Sequence, residues 1–301
     1  MAARPPRRTT TTTSRPGRAD PVVLASAWHA IADPWSSGIM ARALAEIVLV
    51  GIAGGTLGCW VVLHRASYAA ESLAHALFPG LVAAALLGLP LLAGGLAGVI
   101  VAALAIALAS RIPWVQRDTA VAVAVTTLFG LGALLALSAR TPPGLQELLF
   151  GDVLGVSPGD VRLAALLAAG VVAILALLHA RLLASGFDPS VAASLGAAPR
   201  AMTAVLLVLV ALTIVVAVQG LGNLLVVAVL IGPAAAARRR SRRVGPMLAL
   251  AAGLATLAGV AGLYLSYYAG VAAGASIALA MVAAYAICAA LPGPAPGART
   301  A

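Results

Sequence analysis

The sequence predicts an all-α fold, a polytopic transmembrane helical bundle of eight or nine spans, and three observations carry that expectation. Hydrophobic residues make up 62% of the 301 residues and charged residues only 9%. Mean hydropathy is +1.06, and almost everything after Met40 divides into apolar pieces of about 20 residues, the length a helix needs to cross hydrocarbon. No alternating dyad pattern is visible, which removes the closed β-barrel, the other structure whose backbone is satisfied in lipid.

All 19 basic residues are arginine. A Walker A phosphate loop needs a lysine after its glycines, so any ATP that powers this chain is hydrolysed on another subunit. The net charge of +10 raises nucleic acid as a partner, but the arginines gather in the N-terminal tail and at 238–243, beside apolar spans. That arrangement is topogenic, following the cytoplasmic bias of arginine and lysine, and nucleic acid is not an expected partner. Cys59 and Cys288 lie inside apolar runs without a CxxC spacing and read as small core residues.

Taken in order, residues 1–20 are an Arg/Thr/Pro-rich tail with too little apolar bulk to offset ordering entropy. No cleavage site follows a short apolar core, so the start does not read as a secretory signal. Residues 21–39, with Trp28, Trp35 and Ile31, suit an interfacial segment. The transmembrane bundle occupies 40–291, and 292–301 form a Pro/Gly tail.

The first span, about 40–63, carries Gly51, Gly54, Gly55 and Gly58 at spacings of three and four, which lets a neighbouring helix approach closely. The second, about 71–87, contains Pro79-Gly80, which predicts a kink or break. A third span ends near Ser110, and Arg111 and Arg117 place the next connector in the cytoplasm. Asp118 caps a fourth span, 119–139. In the following segment LQELLF is too short to cross and belongs at the opposite surface. A fifth span, 161–184, leads into SGFDPSVAASLGAAPR, where Asp188-Pro189 reads as a cap and first helical position and Gly196 as the stop. Spans at 201–218 and 221–237 follow, joined by QGLGN, then RRRSRR at a cytoplasmic boundary, then two last spans. Counting back from RRRSRR places Met40 outside, against the five arginines of the tail; either one early segment does not cross or the tail is translocated.

Chemistry concentrates in RASYAAESLAHALFPG, residues 65–80. Glu71 and His75 are four residues apart, which stacks both side chains on one helical face. Ionisable groups in hydrocarbon are costly and face a bundle interior or a pathway. A carboxylate oxygen and an imidazole nitrogen suit Zn or Mn; the bland alternative is an interhelical hydrogen-bonded pair. Glu46 admits two readings as well, a possible pathway group or a carboxylate at headgroup level. His64 and His179 read as boundary residues, solvated or snorkelling.

Four stretches in order resemble one family, the membrane permease subunits of ABC transporters that take up zinc and manganese. They are GCWVVLHRASYAAESLAHALFPG (58–80), LLFGDVLGVSPGDV (148–161), GFDPSVAASLGAAPR (186–200) and VQGLGNLLVVAVLIGPAAAAR (218–238). With LYLSYYAGVAAGASIAL (263–279) the resemblance covers about 40–290. It implies a homodimeric permease in the cell membrane that docks a cytoplasmic ATPase subunit and receives metal from an extracellular or periplasmic metal-binding protein. It also implies that Glu71 and His75 contact the passing metal, and that a short coupling helix near 186–199, with Asp188, Ala192 and Gly196, meets the ATPase. Zn or Mn is then cargo, with no permanently bound cofactor, ATP stays on the partner, and membrane lipid is the solvent. The family usually has aspartate at position 71. Competing expectations are a permease for a metal chelate such as a siderophore, an ion-driven secondary transporter, and a membrane enzyme. The last is disfavoured because four histidines and nine carboxylates form no second cluster.

Overall fold

The computed structural model describes residues 33–109, 112, 117–137, 151–194 and 198–291. The tail 1–20, residues 21–32, LQELLF, Gly196 and 292–301 lie outside them, as does the side chain of Asp118. Every regular element among the described residues is an α-helix: α1 Gly38–Leu63, α2 Ser67–Leu87, α3 Leu91–Ala109, α4 Arg117–Ala136, α5 Pro158–Leu177, α6 His179–Phe187, α7 Pro189–Ser194, α8 Pro199–Arg240, α9 Val244–Ala269 and α10 Ala273–Ala290. Seven of them contain stretches long and apolar enough to cross a membrane, and Leu91–Ile106 is a shorter apolar helix.

Helix α1 is the axis of the bundle, packed against α5, α8 and α9. Its glycines explain why. Gly54 and Gly58 face Val229, Leu230 and Ala234 of α8, whereas Gly51 and Gly55 face Thr256, Ala251 and Ala252 of α9. Two pairs of the small-xxx-small type, offset by three residues, therefore serve two partners on adjacent strips of one helix. Between helices in lipid the hydrophobic effect contributes little, so this close backbone approach supplies the packing. The same device recurs where Gly80 of α2 meets Gly94 and Gly98 of α3, and where Gly132 of α4 meets Phe78 and Pro79.

Of the kink or break expected at Pro79-Gly80, the break does not occur; helix α2 runs through to Leu87 with Pro79 buried. The glycine at 80 is explained by contact with α3, and the proline ring is packed against α4. The break falls in α8 instead, at Gly222 (φ 73°, ψ 157°), a conformation essentially confined to glycine. There the chain turns back. Pro199, Arg200 and Thr203 line a cleft with His64 and Arg65, beyond one end of α1. Gly220 lies on Glu46 near the other end, and Ala234 is back at Gly58. The two halves of α8 are thus antiparallel, as the separate spans at 201–218 and 221–237 required.

The fifth span is shorter than expected. Helix α5 begins with a capping box, in which Ser157 Oγ accepts from Asp160 N and Asp160 accepts from Ser157 N. It ends at Leu177, and the chain re-aims at Leu178 into α6, whose Leu182 and Ser185 are buried. At the end of α1 where the chain enters, the Trp35 indole N–H donates to Tyr264 Oη at 2.8 Å, tying the segment before α1 to α9.

Candidate functional site

Glu71 and His75 both lie on α2, one helical turn apart, within its first half. Glu71 is exposed on the isolated chain and His75 is half-buried. The His75 ring stands edge-on to Phe129 of α4 (centroids 5.3 Å apart, 75° between planes), and Phe129 in turn packs on Phe78. This aromatic wall fixes the imidazole from one side. His75 Nδ1 is buried with no hydrogen-bond partner, an uncommon state for a buried polar atom. Pro79 has no N–H to give to the carbonyl of His75 four residues before it, so that carbonyl lacks its usual helical donor. Among the described residues no three His, Cys, Asp or Glu side chains converge to hold a metal. The single chain thus presents one carboxylate, one imidazole and one carbonyl without its helical donor on the same stretch of α2.

Glu46 sits elsewhere. It is 2% exposed, its Oε2 has no hydrogen-bond partner, and its carboxylate packs directly on Gly220, where a Cβ would come within 2.6 Å of Oε1. Gly151 (φ 79°) presses on residues 220–222 from the other side. Glu46 therefore seats the reversal of α8, whereas His75 faces α4. Close by, Arg42 Nε donates to Val156 O at 2.9 Å and anchors the segment before α5 to α1.

At the opposite end of α1, His64 is a bridge rather than a solvated boundary residue. Its Nδ1 lies 2.9 Å from Trp60 O and its Nε2 3.1 Å from Ser185 Oγ. Nδ1–H donates to the Trp60 carbonyl in the neutral ring, while the Ser185 hydroxyl shares its single proton between Nε2 and the Arg181 carbonyl 2.8 Å away. Burial pushes the His64 pKa below its usual value, with the Trp60 hydrogen bond opposing in part. His179 remains exposed, with its ring edge-on to Trp60 at 5.3 Å. The sequence signal for this bridge was the Trp60/His64 spacing of four, which reads equally well as a plain membrane boundary.

The short helix α7 forms as its cap residues dictate. Asp188 Oδ1 accepts from Ser190 N at 3.0 Å and from Ser190 Oγ at 2.6 Å, and Ala192 is fully buried. Asp152 and Asp160 also have local partners, Asp152 accepting from Gly155 N at 3.0 Å. Cys59 is buried with its thiol toward Met247 O, Cys288 is half-buried, and both are free.

Comparison with known proteins matches this architecture. The model of the ABC 3 transport family matches residues 36–291. A manganese transport system membrane protein of Halalkalibacterium halodurans is 36% identical over 245 residues, 81% of this chain and 84% of that protein. A probable iron transport system membrane protein of Haemophilus influenzae is 31% identical over 255 residues, 85% of this chain and 94% of that protein. Among solved structures, PsaBC from Streptococcus pneumoniae in complex with Fab superposes with a TM-score of 0.81 at 29% identity, covering 87% of this chain and 95% of that one. With the whole bundle inside the matched region, the chain belongs to the ABC 3 transport family.

Proposed function

We propose that this chain is the membrane permease of an importer that carries a divalent metal ion into the cytoplasm, manganese before zinc, driven by ATP hydrolysed on a separate subunit. The observation that carries the reading is the Glu71/His75 pair on α2, in a chain whose relatives include manganese permeases. Manganese and zinc both accept carboxylate and imidazole donors, and selectivity between them rests on geometry and supply rather than affinity order. The carboxylate, the imidazole and the His75 carbonyl make an incomplete coordination sphere, completed by water or by a second copy of the chain. A site with few fixed ligands releases its ion, as transport requires.

The orientation follows from charge. The arginines of Arg238–Arg243 support a cytoplasmic end there, and the antiparallel halves of α8 support the same side for Pro199 and the α6–α7 segment. Counting α3 and both halves of α8 makes nine spans, with α1 entering from outside. An ion moving inward along α2 meets His75 before Glu71. Helix α7, with Asp188 capping it and Ala192 seated, together with Gly196 beyond it, is the contact for the ATPase. An extracellular or periplasmic binding protein delivers the metal, and the permease works as a pair. Glu46 holds the α8 reversal and does not ligate the ion.

The test is uptake of radiolabelled Mn and Zn by vesicles containing the full chain and its ATPase. Glu71→Gln and His75→Ala should each abolish metal uptake while the protein still inserts and still binds the ATPase. Normal uptake by both variants would refute the metal-path reading, and uptake independent of the ATPase would identify an ion-driven carrier.

A further inference from the structure

Where α1 ends, its last turn closes with Ala66 N bonded to Val61 O (2.9 Å) and Arg65 N to Val62 O (3.2 Å). This is the doubly bonded terminus whose left-handed position normally holds glycine. Here that position is Arg65, at φ 54°, alone among the described non-glycine residues in having a positive φ. A non-glycine residue there costs about 1 kcal/mol or more relative to its relaxed backbone, and glycine would close the turn without that cost. Strain of this kind persists where the side chain has a task.

The Arg65 side chain lines a cleft of about 670 Å³ together with Arg200 at the start of α8. The remaining wall includes His64, Phe187, Ala204 and Leu207, and no carboxylate is among the lining residues. Both arginines are exposed, and among the described residues neither side chain has a hydrogen-bonding or ionic partner. His64 contributes no free donor, because both ring nitrogens are already engaged by Trp60 and Ser185. The cleft is therefore cationic at its rim through two guanidinium groups. Its apolar side follows α8 inward: Leu207 lies eight residues past Pro199, about 12 Å deeper at the helical rise. A soluble partner meets only the rim, whereas a molecule with an anionic head and an apolar tail matches both parts.

We propose that this cleft binds one anionic phospholipid, its phosphate held between Arg65 and Arg200 and an acyl chain lying along Ala204 and Leu207. Guanidinium and phosphate form charge-assisted, often bidentate pairs, and basic pockets between spans are suited to lipid head groups. A lipid held here would brace the α1–α2 link against α6, the helix that leads into α7. The inference depends on the chain spanning a membrane and not on which metal it moves.

The experiment is native mass spectrometry of the full-length chain purified in mild detergent and equilibrated with mixed micelles of phosphatidylcholine and phosphatidylglycerol. The wild-type chain should retain one phosphatidylglycerol in preference to phosphatidylcholine. Arg65→Gly and Arg200→Ala should each weaken that retention about tenfold, the loss of one charge-assisted contact. Arg65→Gly should leave the melting temperature unchanged or raise it, since glycine accepts the left-handed backbone, so failure to fold does not confound the result. Wild-type retention by the double variant would overturn the proposal. Displacement of the lipid by millimolar inorganic phosphate would overturn it in favour of a simple anion site. Variants that keep the lipid but no longer co-purify with the ATPase would overturn it in favour of a protein-docking surface.

Discussion

Two glutamates stand in apolar helices of this protein, and the fold treats them in opposite ways. Glu46 on α1 is 2% exposed and packed on Gly220 at the point where α8 reverses. Glu71 on α2 is exposed on the single chain, with an imidazole one turn along and, two turns along, a proline that gives the His75 carbonyl no N–H. A carboxylate in hydrocarbon needs a partner or a pathway. In the first case the surroundings are glycine backbone at a helix break, with one oxygen left without a bond. In the second they are donor groups of the kind a divalent ion accepts. Depth of burial alone thus does not separate the two carboxylates; what lies beside each of them does.

The helix that carries Glu46 is also the least forgiving of change along its glycine seam, and the largest expected effect lies at Gly58, about three turns from that carboxylate. Gly58 touches the backbone carbonyl of Leu230, so any Cβ collides with main chain that cannot turn aside. Gly58→Leu should exceed the about 1–3 kcal/mol typical of overpacking and leave no monodisperse protein after extraction. Glu71→Leu, on the open face of α2, should insert and purify normally while losing uptake. If Gly58→Leu purifies as well as Glu71→Leu, the contrast between a rigid α1 seam and a permissive α2 face is lost.

Paired charge-neutralising variants come next and bear directly on the two carboxylates. Glu71→Gln keeps shape and removes the charge, and manganese uptake should fall to background. Glu46→Gln should retain at least half of the wild-type uptake, because the seat at Gly220 depends on shape. Uptake lost in Glu46→Gln would bring that carboxylate into the ion path. Uptake retained in Glu71→Gln would take the other one out.

Much of this contrast was legible in the sequence, and the part that was not has a physical cause. The glycine spacings of 51–58 announced close helix approach, the Asp188-Pro189 signal announced α7, and the pair at 71 and 75 shared a face by period alone. The sequence predicted a kink or break at Pro79-Gly80, where the helix runs on without a break, because a proline's missing donor is local while the packing that keeps a helix continuous through it is not. Pro79 is buried against Gly132, and Gly80 is pressed on Gly94 and Gly98. The reversal at Gly222 was visible only as two adjacent spans joined by QGLGN. Its support by Glu46 and Gly151 joins residues some 70 to 175 positions apart, which no local pattern encodes. Glu46 accordingly stayed ambiguous between pathway and headgroup level.

A smaller effect is expected at the seat itself. A Cβ at Gly220 would lie 2.6 Å from Glu46 Oε1, but that atom ends a side chain with some freedom to shift. Gly220→Ala should therefore destabilise by about 1–3 kcal/mol, the usual range for overpacking, and remain purifiable. Glu46→Ala introduced into Gly220→Ala should recover part of the loss, a coupling that a double-mutant cycle of thermal unfolding measures directly. Strict additivity would show that the two residues do not share the seat.

The smallest effect separates the two ends of α1. Burial lowers the His64 pKa from its usual 6.5, so the folded state binds this proton less readily than the unfolded one. By linkage, the contribution of the neutral ring is fully present above the unfolded-state value and is lost as pH falls through the lowered folded one. Melting of the full-length chain should therefore drop slightly between pH 7.5 and pH 5, as the half-buried ring takes up its charge. Protonated Nε2 can still donate to Ser185 Oγ, whose own proton goes to Arg181 O at 2.8 Å, so the loss is the cost of charging the half-buried ring. His64→Gln, which has no titrating group, should flatten the part of the pH dependence that originates at this end. An unchanged slope in His64→Gln would mean that the α1–α6 bridge does not depend on the neutral imidazole, and that the inner end of α1 is held by Trp60 and the Arg65 turn alone.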